Sequence, residues 1–203
     1  MKVGIVDYQA GNITSVERAL EHLGGAFVTS CHPEELQSCD KLIIPGDGHA
    51  TASMGVLKST GLDKFIKEYL STGAWVLGIC IGCQIILDWS EEGDTQCMGL
   101  IPGTVNRFPE RLGLKVPHMG WNVCRPAQPH HWLFKDVAKD SSFYYVHSYY
   151  TKPDNQSDIL GICDYGINFA SAIGRDNLAA VQFHPEKSGR PGLQMLKNFL
   201  EVK

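Results

Sequence analysis

The sequence lacks any long, continuous hydrophobic run. Its first residues do not form the roughly 7–15-residue apolar core of a signal peptide, and no later stretch reaches the about 18 apolar residues of a membrane helix. We therefore expect a cytoplasmic protein.

Basic clusters are also missing and the formal net charge is −4, so binding to nucleic acid has little electrostatic support. Without a linker, a repeat or a low-complexity segment, residues 1–203 are expected to form one domain.

The cysteines do not follow a disulfide or zinc pattern. There are seven, an odd number at irregular spacing, which fits reduced thiols better than a disulfide framework. Cys80 and Cys83 form a close pair, but zinc needs four ligands and no second close Cys/His pair accompanies them at an appropriate spacing. We predict no metal and no cofactor, and we expect the cysteines other than Cys80 to pack in the core.

Strand and helix patterns alternate over the first 90 residues. Short apolar runs predict strands at residues 2–6, 26–30, 41–44 and 75–77. Helical patterns follow them from Ile13 to Gly24, over 33–37, after the loop 45–48 to about Leu70 with a break at Gly61, and over 81–89. Parallel strands need connections of helix length, so this order predicts a parallel sheet with helices on both faces.

After about residue 90 the apolar runs become short and β-rich, and glycine and proline become frequent. The candidate strands are residues 104–108, 121–125, 143–148, 159–164, 169–174 and 179–183. They indicate antiparallel or mixed additions to the sheet, and an amphipathic helix that contains Leu193, Leu196, Phe199 and Leu200 ends the chain. The fold class is α/β, with a mixed, mostly parallel central sheet.

One apolar strand runs through Gly-x-Cys-x-Gly into a helix. Gly78 and Gly82 flank Cys80 as in a nucleophile elbow, a sharp turn that lifts its central side chain out of the sheet. The free amides and dipole at the start of a helix would favour a thiolate at Cys80, and the amide of Ile81 could face a developing oxyanion. Three other interpretations remain open at this point: a packing cysteine, a redox pair with Cys83, and a metal ligand.

A second strand end carries a histidine and a carboxylate. The apolar run 179–183 ends at His184, Pro185 prevents further ladder pairing, and Glu186 follows. A cysteine nucleophile needs a base for its proton, and that base benefits from a third group that orients it. His184 alone could be a structural or surface histidine. Together with a cysteine elbow at another strand end, where open parallel sheets bind ligands, it favours catalysis.

A third strand end is rich in glycine. Gly46, Asp47 and Gly48 follow the predicted strand 41–44, and glycines there could expose backbone N–H groups as an oxyanion hole requires. Taken alone, the stretch is an ordinary turn.

The residues 78–84 and 182–188 together resemble the class I, or triad, glutamine amidotransferases, which hydrolyse glutamine through a Cys-His-Glu triad. The resemblance covers essentially the whole chain and implies a flavodoxin-like fold. Residues 7–12, 45–48, 117–122 and 145–149 narrow it to the glutaminase subunits of imidazole glycerol phosphate synthase, which act in histidine biosynthesis.

The resemblance implies a role for each matching residue. Cys80 would be the nucleophile that forms a glutamyl thioester, His184 the general base and acid, and Glu186 the orienting carboxylate. The remaining site residues implied are Gln84, Ser148 and Tyr149 for glutamine binding, and Gly46, Asp47, Gly48 and Ile81 for the oxyanion hole.

The resemblance also implies a partner, because such subunits pass ammonia through an internal channel to a (β/α)8-barrel cyclase subunit in a heterodimer. The cyclase makes imidazole glycerol phosphate and an aminoimidazole carboxamide ribotide, and the free glutaminase hydrolyses glutamine poorly. Residues expected at or near the cyclase are Asn12, His118, Met119, Trp121 and Lys187, with core packing as the alternative for Trp121.

Two positions depart from the family pattern. Asp47 replaces a small apolar residue in the oxyanion loop, so we expect its carboxylate to point away or to cap the helix at 51–57. Cys83 replaces a larger apolar residue, which we interpret as a packing variant. Two alternative functions remain: a paralogous subunit that supplies ammonia for the amidation of a nucleotide-linked sugar in polysaccharide biosynthesis, and a non-catalytic binding module.

Overall fold

The computed structural model describes residues 1–9, 11, 13–110 and 113–203. Four strands and five helices alternate over the first part of the chain: β1 (Lys2–Val6), α1 (Ile13–His22), β2 (Ala26–Ser30), α2 (Pro33–Leu36), β3 (Lys41–Ile44), α3 (Ala50–Thr60), α4 (Leu62–Ser71), β4 (Trp75–Ile79) and α5 (Ile81–Gln84). Strands β1 to β3 have the predicted bounds, and β4 is two residues longer than predicted. Gly61 adopts a left-handed φ of 76° between α3 and α4, which confirms the predicted break.

The second part of the chain is mostly β-structure. Its elements are β5 (Trp89–Ser90), β6 (Thr95–Gln96), β7 (Gly103–Arg107), β8 (His118–Val123), β9 (Arg125–Pro126), β10 (Ser142–His147), β11 (Tyr149–Pro153), β12 (Ile159–Asp164), β13 (Asn168–Arg175), β14 (Leu178–Val181) and α6 (Gly189–Glu201). Each predicted strand is present with small shifts of its ends, except that the run 121–125 divides between β8 and β9. Within the described ranges, no helix combines the length and hydrophobicity needed to cross a bilayer.

The main sheet is mixed, as predicted. Its order is β2-β1-β3-β4-β14-β13-β11-β7-β5-β6, with β12 beside β13 and β9. Strands β1, β2, β3, β4 and β14 run parallel, whereas β13 pairs with β14 and with β11 in the antiparallel sense. Strands β8 and β10 form a separate antiparallel pair. Because β3, β4 and β14 are parallel neighbours, the loops at their carboxyl ends lie side by side.

Apolar side chains cover both faces of the main sheet. One core contains Met54 and Leu57 of α3 together with Ile66 of α4. The other contains Leu20 of α1 and Phe199 of α6. The helices therefore divide between two cores, which is the arrangement expected of a parallel sheet with crossover helices.

The helix predicted over residues 81–89 is wrong beyond Gln84. Ile85, Ile86 and Leu87 are fully buried. The carbonyl of Ile86 accepts hydrogen bonds from the amides of Leu100 and Ile101 at 2.8 and 3.1 Å, instead of serving a helix. The run 85–87 is entirely apolar and has no polar face that a surface helix could expose to solvent. Its conformation is therefore set by backbone hydrogen bonds with residues 98–101.

Candidate active site

Cys80 lies at a strained turn between β4 and α5. Its φ and ψ are 54° and −106°, outside the usual regions for a residue other than glycine. The neighbouring glycines are needed for space, because a Cβ atom at Gly82 would lie 2.0 Å from the carbonyl oxygen of Ile44 and one at Gly78 would lie 2.7 Å from that of Gly82. The amide of Cys80 donates to the carbonyl of Val181 at 2.8 Å. The turn is thus held against β3 and β14, as an elbow requires.

His184 and Glu186 form a buried pair just beyond β14. His184 Nδ1 lies 2.8 Å from Glu186 Oε1, and both side chains are fully buried. Burial disfavours the charged imidazolium, but the charge and hydrogen bonding of Cys80 and then of Glu186 outweigh it and raise the pKa of His184 to about 10. His184 therefore interacts with the thiol on one side and with the carboxylate on the other.

The backbone of the histidine turn is fixed from two directions. The amide of His184 donates to the carbonyl of Tyr144 at 2.9 Å, and the hydroxyl of Ser188 donates to the carbonyl of His184 at 2.5 Å. Helix α6 approaches so closely that a Cβ atom at Gly192 would lie 2.0 Å from the carbonyl oxygen of Pro185. These contacts leave the imidazole little freedom to move away from Cys80.

A pocket of about 220 Å³ opens over Cys80. This is below the roughly 300–1,000 Å³ of pockets for drug-sized ligands, so it suits a molecule the size of an amino acid. The lining residues come from the segments after β3 and β4, from the end of β10 and the start of β11, from the β5–β6 connection and from the residue before β8: Asp47, Gly48, Cys80, Ile81, Gln84, Glu92, Pro117, Val146, His147, Ser148 and Tyr149. The structure thus gathers most of the site residues predicted from the sequence around one cavity.

Gln84 occupies the floor of this pocket in a chain of amide contacts. Its Nε2 donates to the carbonyl of Tyr149 and to Gln182 Oε1, each at 3.0 Å, and Gln182 Nε2 lies 3.8 Å from Cys80 Sγ. Because the Gln84 amide hydrogens have partners within the protein, its Oε1 is the atom that can serve a ligand. No role was predicted for Gln182, although its place at the end of a strand, close to His184, is a signal that could have indicated one.

Glu92 is a second pocket residue that was not predicted from the sequence. Its side chain is 15% exposed, and its Oε2 accepts from the amide of Ala50 at 2.7 Å, at the start of α3. Glu92 follows the two-residue strand β5, which begins at the last residue of the segment 81–89 that was predicted to be helical. The short strand gave no pattern from which this carboxylate could be placed beside the cavity.

The loop after β3 lies where the sequence predicted it, but Asp47 does not cap α3. His49 is the cap residue, with its Nδ1 accepting from the amide of Thr51 at 3.3 Å. The Asp47 carboxylate lies over Gly11, where a Cβ atom would come within 2.1 Å of Oδ1. The buried hydroxyl of Tyr8 donates to the carbonyl of Pro45, which ties this loop to the end of β1.

The predicted partner residues divide between surface and core. Met119 and Trp121 are 59% and 60% exposed on β8, so the core-packing alternative for Trp121 is wrong. Lys187 is also exposed. The side chain of His118 is only 3% exposed and does not form part of that surface, because alternate residues of a strand point to opposite faces. Asn12 lies outside the described residues.

Cys80 and Cys83 face different parts of the interior. Cys83 packs in the core that contains α3 and α4, whereas Cys80 belongs to the core on the other face of the sheet. Both thiols are free. Burial, and then the nearby Cys80, raises the pKa of Cys83 well above its ordinary value, so Cys83 is a packing thiol. The packing prediction is wrong for Cys31, which is exposed.

Comparison with known proteins places this geometry in a family. The family model of the class I glutamine amidotransferases matches residues 4–202. This chain belongs to the class I glutamine amidotransferases. The enzyme is 45% identical over 203 residues to "Imidazole glycerol phosphate synthase subunit HisH" of Nitratidesulfovibrio vulgaris (strain DSM 19637 / Miyazaki F), covering 97% of this chain and 95% of that protein.

A second relative has the same name, and a solved structure has the same fold. The amidotransferase is 47% identical over 205 residues to a protein of the same name from Maridesulfovibrio salexigens, with 98% of this chain and 96% of that protein covered. A solved structure described as "Crystal structure of glutamine amidotransferase" superposes with a TM-score of 0.77 at 18% identity, covering 98% of this chain and 97% of the other. The structural likeness confirms the fold class predicted from the sequence.

Proposed function

We propose that this amidotransferase is the glutaminase subunit of an imidazole glycerol phosphate synthase in the cytoplasm. It hydrolyses L-glutamine to glutamate and ammonia and passes the ammonia to a (β/α)8-barrel cyclase subunit for histidine biosynthesis. The observation that carries the proposal is the hydrogen-bonded His184–Glu186 pair against Cys80, at 2.8 Å between Nδ1 and Oε1, beneath a small pocket. The names of its relatives, at 45–47% identity, support the choice of synthase.

The first half of the reaction makes a thioester. The sulfur of Cys80 attacks the carboxamide carbon of glutamine, and His184 holds the thiol proton as an imidazolium. The developing oxyanion is stabilised by backbone amides of Ile81 and of the loop formed by Gly46, Asp47 and Gly48. When the tetrahedral intermediate collapses, His184 gives its proton to the departing nitrogen, and ammonia leaves.

The second half returns the free enzyme. A water molecule attacks the thioester carbon while His184 accepts its proton. When the C–S bond breaks, His184 returns that proton to the sulfur, which regenerates the Cys80 thiol, and the acid that is released ionises to glutamate. Glu186 does not touch the reacting atoms. It orients the imidazole through Nδ1, so that Nε2 faces the sulfur, and it stabilises the imidazolium by its charge.

The rest of the pocket suits the amino-acid end of glutamine. Glu92 and the Oε1 atom of Gln84 are acceptors for an α-ammonium group, and the acidic character of the lining favours that charge. Backbone groups of Ser148 and Tyr149 lie along the same cavity, where they can hold the substrate in place.

An exposed apolar surface next to the histidine turn fits the partner. Met119 and Trp121 project from β8, and the Trp121 ring lies 6.2 Å from that of Tyr144, whose carbonyl holds the amide of His184. Large exposed hydrophobic side chains of this kind mark interaction surfaces. Lys187 is exposed immediately after Glu186, and we assign it to the same surface.

The decisive experiment labels the nucleophile. The chain is incubated with the glutamine analogue 6-diazo-5-oxo-L-norleucine, whose attack by a thiol releases N2 and leaves a stable thioether. We expect one adduct, located on Cys80 by peptide mass spectrometry. Cys80→Ser should abolish it, and the matched control Cys83→Ser should keep it. Labelling of Cys83, or no labelling, would show that the triad assignment is wrong and would favour the redox or binding-module alternatives.

A coupled assay then tests the partner. We expect weak glutamine hydrolysis by the isolated chain and a large increase when the histidine-pathway cyclase and its substrate are added. Equal rates with and without them would exclude coupling to that cyclase and would favour the paralogous subunit of polysaccharide biosynthesis.

A further inference from the structure

A row of hydrogen bonds connects the β8–β10 pair with the floor of the glutamine pocket. His147 Nδ1 lies 2.7 Å from the carbonyl oxygen of Tyr149, His118 Nδ1 lies 2.9 Å from His147 Nε2, and Asn122 Nδ2 lies 3.3 Å from His118 Nε2. Gln84 Nε2 donates to the same Tyr149 carbonyl at 3.0 Å. That carbonyl is therefore held from two sides, by α5 and by a pair of histidines.

The chemistry of the end groups determines where every proton in this row lies. A carbonyl only accepts, so His147 Nδ1 carries a hydrogen, and Nε2 of the neutral ring must accept from His118 Nδ1. Neutral His118 then accepts at Nε2 from the amide of Asn122. The Asn122 orientation is itself determined, because its Oδ1 accepts from the amide of Val123 at 2.8 Å and its Nδ2 donates to the carbonyl of Asp164 at 2.9 Å.

The surroundings of the two rings keep them neutral. The His118 ring lies between those of Tyr145 and Tyr165, with centroids 4.8 and 3.9 Å away, and His147 lies 5.3 Å from the ring of Phe108. Burial lowers the pKa of His118 to about 4 and that of His147 to about 3. With both rings uncharged, the row permits only one pattern of donors and acceptors, and it runs from Asn122 towards Tyr149.

We propose that His118 and His147 are positioning residues for the glutamine pocket: their hydrogen bonds hold the Tyr149 carbonyl, and with it the side chain of Gln84, in the orientation that binds substrate. Neither histidine is required for the cleavage steps. The inference rests on the proposed function, because it concerns the binding of glutamine in that pocket. If His118 stops donating, the buried Nε2 atom of His147 loses its partner, and the ring is no longer fixed on the side opposite to Tyr149, so its Nδ1 donor holds the Tyr149 carbonyl less firmly.

Two substitutions at His118 separate the effect of its hydrogen bond to His147 from the effect of its ring packing between Tyr145 and Tyr165. His118→Phe keeps an aromatic ring between the two tyrosines but removes the donor to His147. His118→Asn removes the ring but retains an amide nitrogen close to the position of Nδ1. Both changes disturb a buried site, so both are expected to lower the Tm by comparable amounts of a few degrees. Only the phenylalanine variant breaks the row at His147.

The readout is the kinetics of Cys80 labelling by 6-diazo-5-oxo-L-norleucine, analysed as KI for reversible binding and kinact for the covalent step. We expect His118→Phe to raise KI about tenfold, the loss of roughly one buried hydrogen bond, with kinact within about threefold. His118→Asn should restore KI to within about threefold of the starting protein. His131→Asn, at a half-buried histidine outside the pocket, is the matched control and should leave KI unchanged.

Each other outcome counts against the inference. An unchanged KI in His118→Phe, or an equal rise in both His118 variants that follows their loss of Tm, would show that His118 only supports the fold. If the unsubstituted chain is labelled at Cys80, such a result overturns the positioning role alone. If the unsubstituted chain is not labelled at all, the proposed glutaminase function fails and the positioning role fails with it.

Discussion

The protein buries histidines in two environments that give them opposite charge states. His184 lies against Cys80 and Glu186, and its pKa is raised to about 10. His118 and His147 lie among aromatic rings and backbone carbonyls, and burial lowers their pKa values to about 4 and about 3. Burial opposes the imidazolium in both places. The difference is the buried carboxylate and thiol, which only the first environment contains.

The difference in charge suits the two groups of histidines to different functions: proton transfer and the orientation of neighbouring groups. A histidine that is stabilised as an imidazolium beside a sulfur can take and return a proton, which is what a general base and acid must do. Histidines that stay neutral have one donor and one acceptor each, so they can hold a neighbour in a defined orientation. The following changes test whether the two environments differ in function as they do in charge.

The largest effect is expected from His184→Ala. It removes the group that we propose accepts the Cys80 proton, so the proposed partner-stimulated glutamine hydrolysis should fall by about 10⁴-fold or more. Ammonia release is the measurement, and His32→Ala, at an exposed histidine, is the control. Activity within tenfold of the unsubstituted enzyme would contradict the assignment of His184 as the base. The two histidine environments would then differ in charge but not in function.

A smaller loss is expected from Glu186→Gln. Glutamine has nearly the shape of glutamate, but it lacks the charge that helps to raise the pKa of His184. Hydrolysis should fall, with a loss roughly a hundredfold less severe than that of His184→Ala, because an orienting group contributes less than the base. An NMR titration of His184 should show a pKa below that of the unsubstituted enzyme. A pKa that stays unchanged would mean that Glu186 does not set the charge of the pair.

The smallest effect concerns stability at acidic pH. Because the folded-state pKa values of His118 and His147 lie below the ordinary value of about 6.5, the unfolded chain binds more protons below that pH. Their contribution is intact above about pH 6.5 and is lost as the pH falls towards 4, by up to about 1.4 kcal/mol per pH unit for each histidine. Urea unfolding between pH 7 and 4.5 measures this slope.

His118→Phe sharpens the same measurement. The variant has one titrating histidine fewer, so its free energy of unfolding should fall less steeply as the pH is lowered. The slope should be smaller by the contribution of one histidine, up to about 1.4 kcal/mol per pH unit. His32→Asn is the control and should keep the original slope. Equal slopes for all three proteins would show that His118 is not held neutral in the fold.

Motif residues could be predicted because their chemistry is local. Glycines on both sides of Cys80 predict a sharp turn, and His184 with Glu186 two residues later predicts a base and its orienting group. The structure shows the turn and the His184–Glu186 hydrogen bond, and the catalytic roles stay predictions. The α/β fold class could likewise be read from alternating strand and helix patterns, and comparison with solved structures confirms it. The end of α5 at Gln84 could not be read, because the next residues are uniformly apolar and their conformation depends on pairing with residues 98–101.

Other parts of the site depend on residues far apart in the chain. Gln182 meets Gln84 across 98 positions, and His118 meets His147 across 29. Glu92 reaches the pocket from a short strand that has no pattern of its own. For Asp47 we expected a carboxylate that points away from the oxyanion site or caps the helix at 51–57; His49 is the cap, and the Asp47 carboxylate lies over Gly11.

The amino-acid sequence by itself determined the alternation of strands and helices and the three strand ends where chemistry could occur. Only the tertiary structure decided that β3, β4 and β14 are neighbours, that Cys83 faces away from Cys80, and that His118 is buried while Trp121 is exposed. Residue types and spacings encode local geometry and chemistry. The charge of a buried histidine depends on which distant groups the fold brings against it.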